Sequence, residues 1–280
     1  MLRSATAHIL SLQPGVPMSG RRKDLAGETA LGADVSYCSM LALKLAEARL
    51  FGDRAGIERY SRELTGKFTK CDTGWAEVIE KYIEFVIDLG TIPYRRHSSP
   101  ADFVMDLPPV ARIALVGDWG TGQPEARTVL QQIARKHPDV VIHLGDIYYA
   151  GTGFEVENWF ETIWRQTLDL GSTRTFTLSG NHDMYSGGGA YYRLIDSLGQ
   201  PASYFALRND YWQFLAMDTG LHDSQPGGGL TFLEESEVEW LRDKIDNAGG
   251  RATVFLSHHP LYTSSTEPIA GRSLNDILYS

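Results

Sequence analysis

Four stretches of this 280-residue sequence set residues able to bind cations or move protons directly behind a glycine or serine that closes an apolar run. They are ALVGDWG at 114–120, HLGDIYYAG at 143–151, TLSGNHD at 177–183 and FLSHHP at 255–260. Each apolar run reads as a β-strand. In α/β sheets ligands bind outside the carboxyl ends of strands, so Asp118, Asp146, Asn181 and His258 can meet in one pocket. Oxygen and imidazole donors of this kind suit iron, manganese or zinc, and the lack of thiolates argues against a structural zinc site. Taken singly the signals are weak. An Asp behind a strand is often a helix cap or turn former, Asn181 alone is a turn residue, and a lone His258 is a satisfied core histidine. The four motifs in order, each at a strand end, carry the metal-site reading together.

The elements that must position these residues are visible in the pattern. RIALVG, DVVIHLG and TRTFTLSG alternate with amphipathic segments around Ala126, Val129, Leu130 and Ile133, and around Val156, Trp159, Phe160, Ile163 and Trp164. This βαβα order predicts an α/β fold, a sheet with helices on its faces. SYFALR and YWQFLAMDT, separated by Asn209-Asp210, read as an antiparallel hairpin, followed by a helix carrying Val238, Trp240, Leu241 and Ile245 and by the strand ATVFLS. Upstream, residues 1–28 read as a flexible lead-in and 29–92 as a helical region of three helices joined at FGDRAG and KCDTG. Residues 93–107, rich in Pro and Ser, read as a linker into a second domain at 108–280.

The motifs GDWG, GDxxY, GNHD and HHP resemble those of the calcineurin-like metallophosphoesterases, and are most similar to the purple acid phosphatase branch. Most of that superfamily opens with Asp-x-His, whereas Gly120 occupies the histidine position here. Tyr149 falls where the purple acid phosphatases place a tyrosinate. The resemblance implies a four-layer α/β/β/α sandwich over residues 108–280 and a dinuclear centre. Asp118 and Tyr149 would hold the first cation, Asn181 and His258 the second, and Asp146 would bridge them. A phenol ionises near pH 10 in water, so a tyrosinate calls for Fe(III), with Fe(II), Zn or Mn in the second position. The alternative for Tyr148 and Tyr149 is ordinary aromatic packing.

The implied activity is hydrolysis of phosphate esters by metal-activated water, with His182 as the catalytic partner, donating a proton to the leaving group or binding a phosphate oxygen. Asp183 either orients that imidazole or caps a loop. His259 is expected to line the pocket and His222 to be an exposed loop histidine, while the glycine runs at 187–189 and 227–229 read as mobile loops. The quoted motifs select the phosphoryl chemistry; the ester itself is chosen by surrounding loops.

Family members finish the site with Gly-His-x-His, and this sequence has no histidine after His259. The resemblance therefore implies a domain incomplete at its C-terminus, with GRSLNDILYS as the helix before the lost strand. The competing reading is a depleted site: a catalytically impaired domain acting as a binding or regulatory module, with a protein partner on the N-terminal helices.

Bulk properties set limits. The net charge of −9 argues against tight nonspecific binding to nucleic acid or anionic membrane. Neither a secretory leader nor a membrane-length apolar run is evident, so a cytoplasmic protein is expected. The 2 cysteines, Cys38 and Cys71, are expected as reduced thiols in helices.

Overall fold

In the computed structural model, which describes residues 41–42, 44–63, 74–224 and 231–260, the chain divides into two units, Met1–Gly90 and Thr91–Ser280. The lead-in, both cysteines, residues 70–73 of the KCDTG junction, the glycines at 227–229 and the segment GRSLNDILYS lie outside the described residues. Among the described residues no helix is long and apolar enough to cross a membrane.

The described part of the first unit contains three helices: α1 over 41–42 and 44–50, α2 (Arg54–Glu63) and α3 (Gly74–Ile87). Leu41 and Leu45, one turn apart, pack with Ala42 and Ala76, and Ile57, Tyr60 and Ile79 close around them. Asp53 stops the first helix from running into the second, since its carboxylate accepts the Gly56 N–H at 3.0 Å as an N-terminal cap.

The second unit is built on two sheets. Strands β2 (Ile113–Val116), β3 (Val140–His143) and β4 (Arg174–Thr177) form a parallel sheet in that order. Strands β1 (Val104–Asp106), β5 (Phe205–Arg208), β6 (Trp212–Ala216) and β7 (Ala252–Leu256) form the other, also in that order. The β5–β6 pair is antiparallel and the other two pairs are parallel, so the hairpin expected at Asn209-Asp210 is present. Asn209 makes the turn by accepting the N–H groups of Tyr211 and Trp212 on its side-chain oxygen.

Alternation along the strands assigns the layers. Val140, Ile142, Phe205, Leu207 and Ala216 meet between the sheets. Their sequence neighbours point the other way, Val141 into a cluster with Leu130, Phe160 and Trp164, and Ala206 and Leu215 into one with Val238, Trp240 and Leu241. Three helices therefore cover the parallel sheet: α4 (Pro124–Ala134), α5 and, beyond the single turn α6 (Asn181–Met184), α7 (Gly189–Ser197). Helix α5 runs from Gly153–Glu155 through a π segment, Val156–Glu161, to Thr162–Thr167. Helix α8 (Glu235–Asp246) covers the other sheet. The result is the expected α/β/β/α sandwich. Strand β3 is central and buried along its whole length, which explains why Val140, Val141 and Ile142 run on without alternation ahead of the buried His143.

Two expectations need correction. Residues 93–107 are not a free linker: they contain β1, which pairs with β5, and Tyr94, whose ring stacks on Tyr204. Three residues are too few to display an alternation. The run 187–189 is not a mobile loop either. Gly188, left-handed at φ +71°, opens α7, whose Tyr191, Tyr192, Leu194 and Ile195 are buried.

Candidate metal centre

The carboxyl ends of β2, β3, β4 and β7 carry Asp118, Asp146, Asn181 and His258, as their spacing requires. Ligand-capable atoms of Asp118, Asp146 and His258 lie within 4.8 Å of one another. Both aspartates hold left-handed backbone, φ +53° and +75°, which costs a non-glycine residue about 1 kcal/mol or more and persists where surrounding contacts enforce it. The strand ends are packed tightly: a Cβ at Gly180 would collide with Asp146 Oδ1. At Gly120 a Cβ would meet the Ile147 backbone at 2.9 Å, so the position used elsewhere for histidine is closed to any side chain here unless the chain shifts.

His258 donates through Nδ1 to the Leu144 carbonyl at 3.0 Å, which leaves Nε2 as an acceptor. That nitrogen faces Asn181 Oδ1 at 3.2 Å and Asp146 Oδ2 at 3.5 Å. The Asn181 amide is turned this way because its Nδ2 donates to the Tyr185 hydroxyl at 2.6 Å. Acceptors that converge in this way fit a cation.

His182 is buried, its N–H on Asp146 Oδ1 at 3.0 Å and its Nε2 4.0 Å from Asp146 Oδ2. Its Nδ1 meets the Tyr149 carbonyl, an acceptor only, so Nδ1 carries the hydrogen. The ring lies between those of Tyr148, 4.5 Å away, and Tyr185, 4.9 Å away.

Asp183 takes a different place from that of an imidazole-orienting group. Its carboxylate accepts the N–H groups of Asp146 (2.9 Å), Ile147 (3.1 Å) and Gly180 (2.8 Å), tying the second and third motifs together. The contact that orients His182 is the Tyr149 carbonyl. Burial, and then the Asp146 charge, push the Asp183 carboxyl above the ordinary carboxylate range, against those three donors.

Tyr149 is buried, with its ring 6.5 Å from that of His182. The phenol that donates to Asp118 Oδ1 belongs to its neighbour Tyr148. His259 stands edge-on to His258 and pairs with Asp223 at 3.1 Å. His222 is not an exposed loop residue: it stacks on Phe232 at 3.8 Å and pairs with Glu234 at 2.9 Å.

Sequence reasoning missed Tyr185, Asp218 and Glu155. Asp218 accepts the Ser179 hydroxyl just before Gly180 and the Leu221 N–H, with nothing in its local pattern to mark it. Glu155 had a signal, the Thr-x-x-Glu of a helix capping box at Thr152.

The chain belongs to the calcineurin-like phosphoesterase family, which its residues 111–279 match. Membership makes this unit, by class, a phosphoester hydrolase domain that works with bound metal. Comparison with curated proteins gives no match. Among solved structures, a dimetal phosphatase from Danio rerio is similar at a TM-score of 0.41 and 14% identity, over 54% of this chain and 70% of that one.

Proposed function

We propose that the chain hydrolyses phosphate esters with two cations, in the manner of the purple acid phosphatase branch. Asp118 and Tyr149 hold the first cation, Asn181 and His258 the second, and Asp146 both. The observation that carries the reading is the convergence of Asp118, Asp146 and His258 within 4.8 Å at the ends of three strands. A tyrosinate selects Fe(III) for the first position, since a phenol near pKa 10 ionises at neutral pH only beside a hard, highly charged ion. Fe(II), Zn or Mn takes the second.

Bound cations supply positive charge for the phosphate oxygens and acidify water. The chain's own groups do the rest. Asp146 and His258 crowd acceptors toward one point, and Asn181 is held there by Tyr185. His182, with Nδ1–H committed to Tyr149, presents Nε2 to the pocket; when the ring is doubly protonated, Nε2–H passes its proton to the departing alkoxide and the ring is left as the neutral Nδ1–H tautomer. Turnover of an aryl phosphate, abolished by a chelator and restored by iron with zinc or manganese, tests the reading. A protein that neither binds these metals nor hydrolyses the ester would sink it.

A further inference from the structure

The segment 146–152 carries two of the proposed ligands, and every backbone N–H along it has a partner. Those of Asp146 and Ile147 go to Asp183, that of Tyr148 to the Gly120 carbonyl and that of Gly151 to the Ile147 carbonyl. The other three, from Tyr149, Ala150 and Thr152, all go to one side chain, Glu155. Glu155 is fully buried and receives the Thr152 hydroxyl as well, at 2.9 Å. All four of its partners are donors, so this carboxylate acts purely as an acceptor.

Part of this arrangement is a helix start. The Thr152–Glu155 capping box satisfies the first turn of α5, and for that purpose Glu155 needs only the Thr152 N–H. Its bonds to Tyr149 and Ala150 lie upstream of the cap and serve no helical end. They grip both peptides that flank Tyr149, and the second of these, Tyr149–Ala150, is the one whose carbonyl takes His182 Nδ1.

We propose that Glu155 is a positioning residue for the hydrolytic reaction: by clamping the Tyr149–Ala150 main chain it fixes the carbonyl that sets the orientation and tautomer of His182. This rests on the reading of His182 as proton donor. An amide in place of the carboxylate would set a donor against donors, so Glu155→Gln loosens the clamp at constant size.

The test compares Glu155→Gln, Glu155→Asp, Thr152→Ala and His182→Ala, each checked for folding by circular dichroism and for metal content. Glu155→Gln is expected to lower kcat about 10- to 100-fold, with KM and metal content little changed. The loss should be larger for an alkyl phosphate than for p-nitrophenyl phosphate, because a poor leaving group needs the proton more. Glu155→Asp shows the same trend more weakly, and carries the test should the Gln variant not fold. Thr152→Ala, which removes the cap hydroxyl but leaves the Tyr149 and Ala150 bonds, lowers the melting temperature without altering the leaving-group dependence. In metal-free protein, ¹⁵N NMR reads the contact directly: Nδ1 of His182 is protonated in the parent chain, and Glu155→Gln shifts the ring toward the other tautomer. Folded Glu155 variants with parental leaving-group dependence and an unchanged tautomer overturn the proposal, as does a Thr152→Ala variant that reproduces the full effect. Should His182→Ala itself spare the alkyl phosphate, the reading of His182 fails, and this inference with it.

Discussion

His258 Nε2 and Asn181 Oδ1 face each other at 3.2 Å, two acceptors just beyond strands β7 and β4 held together by the fold. Each is turned inward by a bond on its far side, to the Leu144 carbonyl and the Tyr185 hydroxyl. A cation would relieve the opposition of their lone pairs, and removing either group should weaken metal binding. His258→Ala and Asn181→Ala are each expected to lower affinity by at least about tenfold, read by titration with Mn(II). Chelation of the parent protein should lower its melting temperature, since a ligand bound only by the folded chain stabilises it. Unchanged affinity in both variants would place the metal elsewhere.

His182→Ala should reduce kcat by roughly 10²–10⁴-fold with metal content intact, the cost of losing a positioned proton donor. Elemental analysis beside steady-state kinetics checks this. Equal loss of metal and activity would make His182 a ligand.

Loaded with Fe(III), the protein should show a visible phenolate charge-transfer band that Tyr149→Phe abolishes and Tyr148→Phe preserves. The two tyrosines are adjacent, and Tyr148 already donates to Asp118, so the reverse pattern would transfer the ligand role to Tyr148.

Glu237 is fully buried on α8, accepting the Asp218 N–H at 2.9 Å and the Tyr94 hydroxyl at 3.2 Å. Burial, and then the Asp218 charge, raise its pKa well above the ordinary value. A carboxyl with a raised folded pKa keeps its proton longer in the folded chain than in the unfolded one. The stability it contributes is complete below the unfolded pKa, about 4.3, and is lost as pH rises toward the folded value. Melting temperature should therefore fall with rising pH above the ordinary carboxylate range, and Glu237→Gln should flatten that slope. Parallel curves for the two proteins would refute the assignment.

Phe160 fills the layer between α5 and the parallel sheet, stacked on Trp164 at 4.5 Å and edge-on to Trp119 at 5.7 Å. Phe160→Ala should cost about 3–5 kcal/mol in urea unfolding. Because Trp119 follows Asp118 directly, metal affinity should fall as well.

The strands and the nature of the site were legible in the sequence because both are local properties. Side-chain alternation is set within a strand, and the ligand-bearing residue follows the strand's last glycine or serine at once, so ALVGDWG or TLSGNHD announces itself without knowledge of its neighbours. Strand β1, too short to alternate, and helix α7, hidden behind its glycine entry, escaped this reading. The tertiary structure decided which atoms meet. Asp183 bonds to amides 36 and 37 residues away, Gly120 is closed by Ile147 of the next strand end, and His182 takes its orientation from a carbonyl 33 residues upstream. Such partners depend on how the two sheets and their loops pack, and a carboxylate's spacing along the chain says little about which buried donor it will satisfy. Asp183 and Glu155 are thus ordinary acids in the sequence and become, once folded, the two buried anchors of the segment that bears Asp146 and Tyr149.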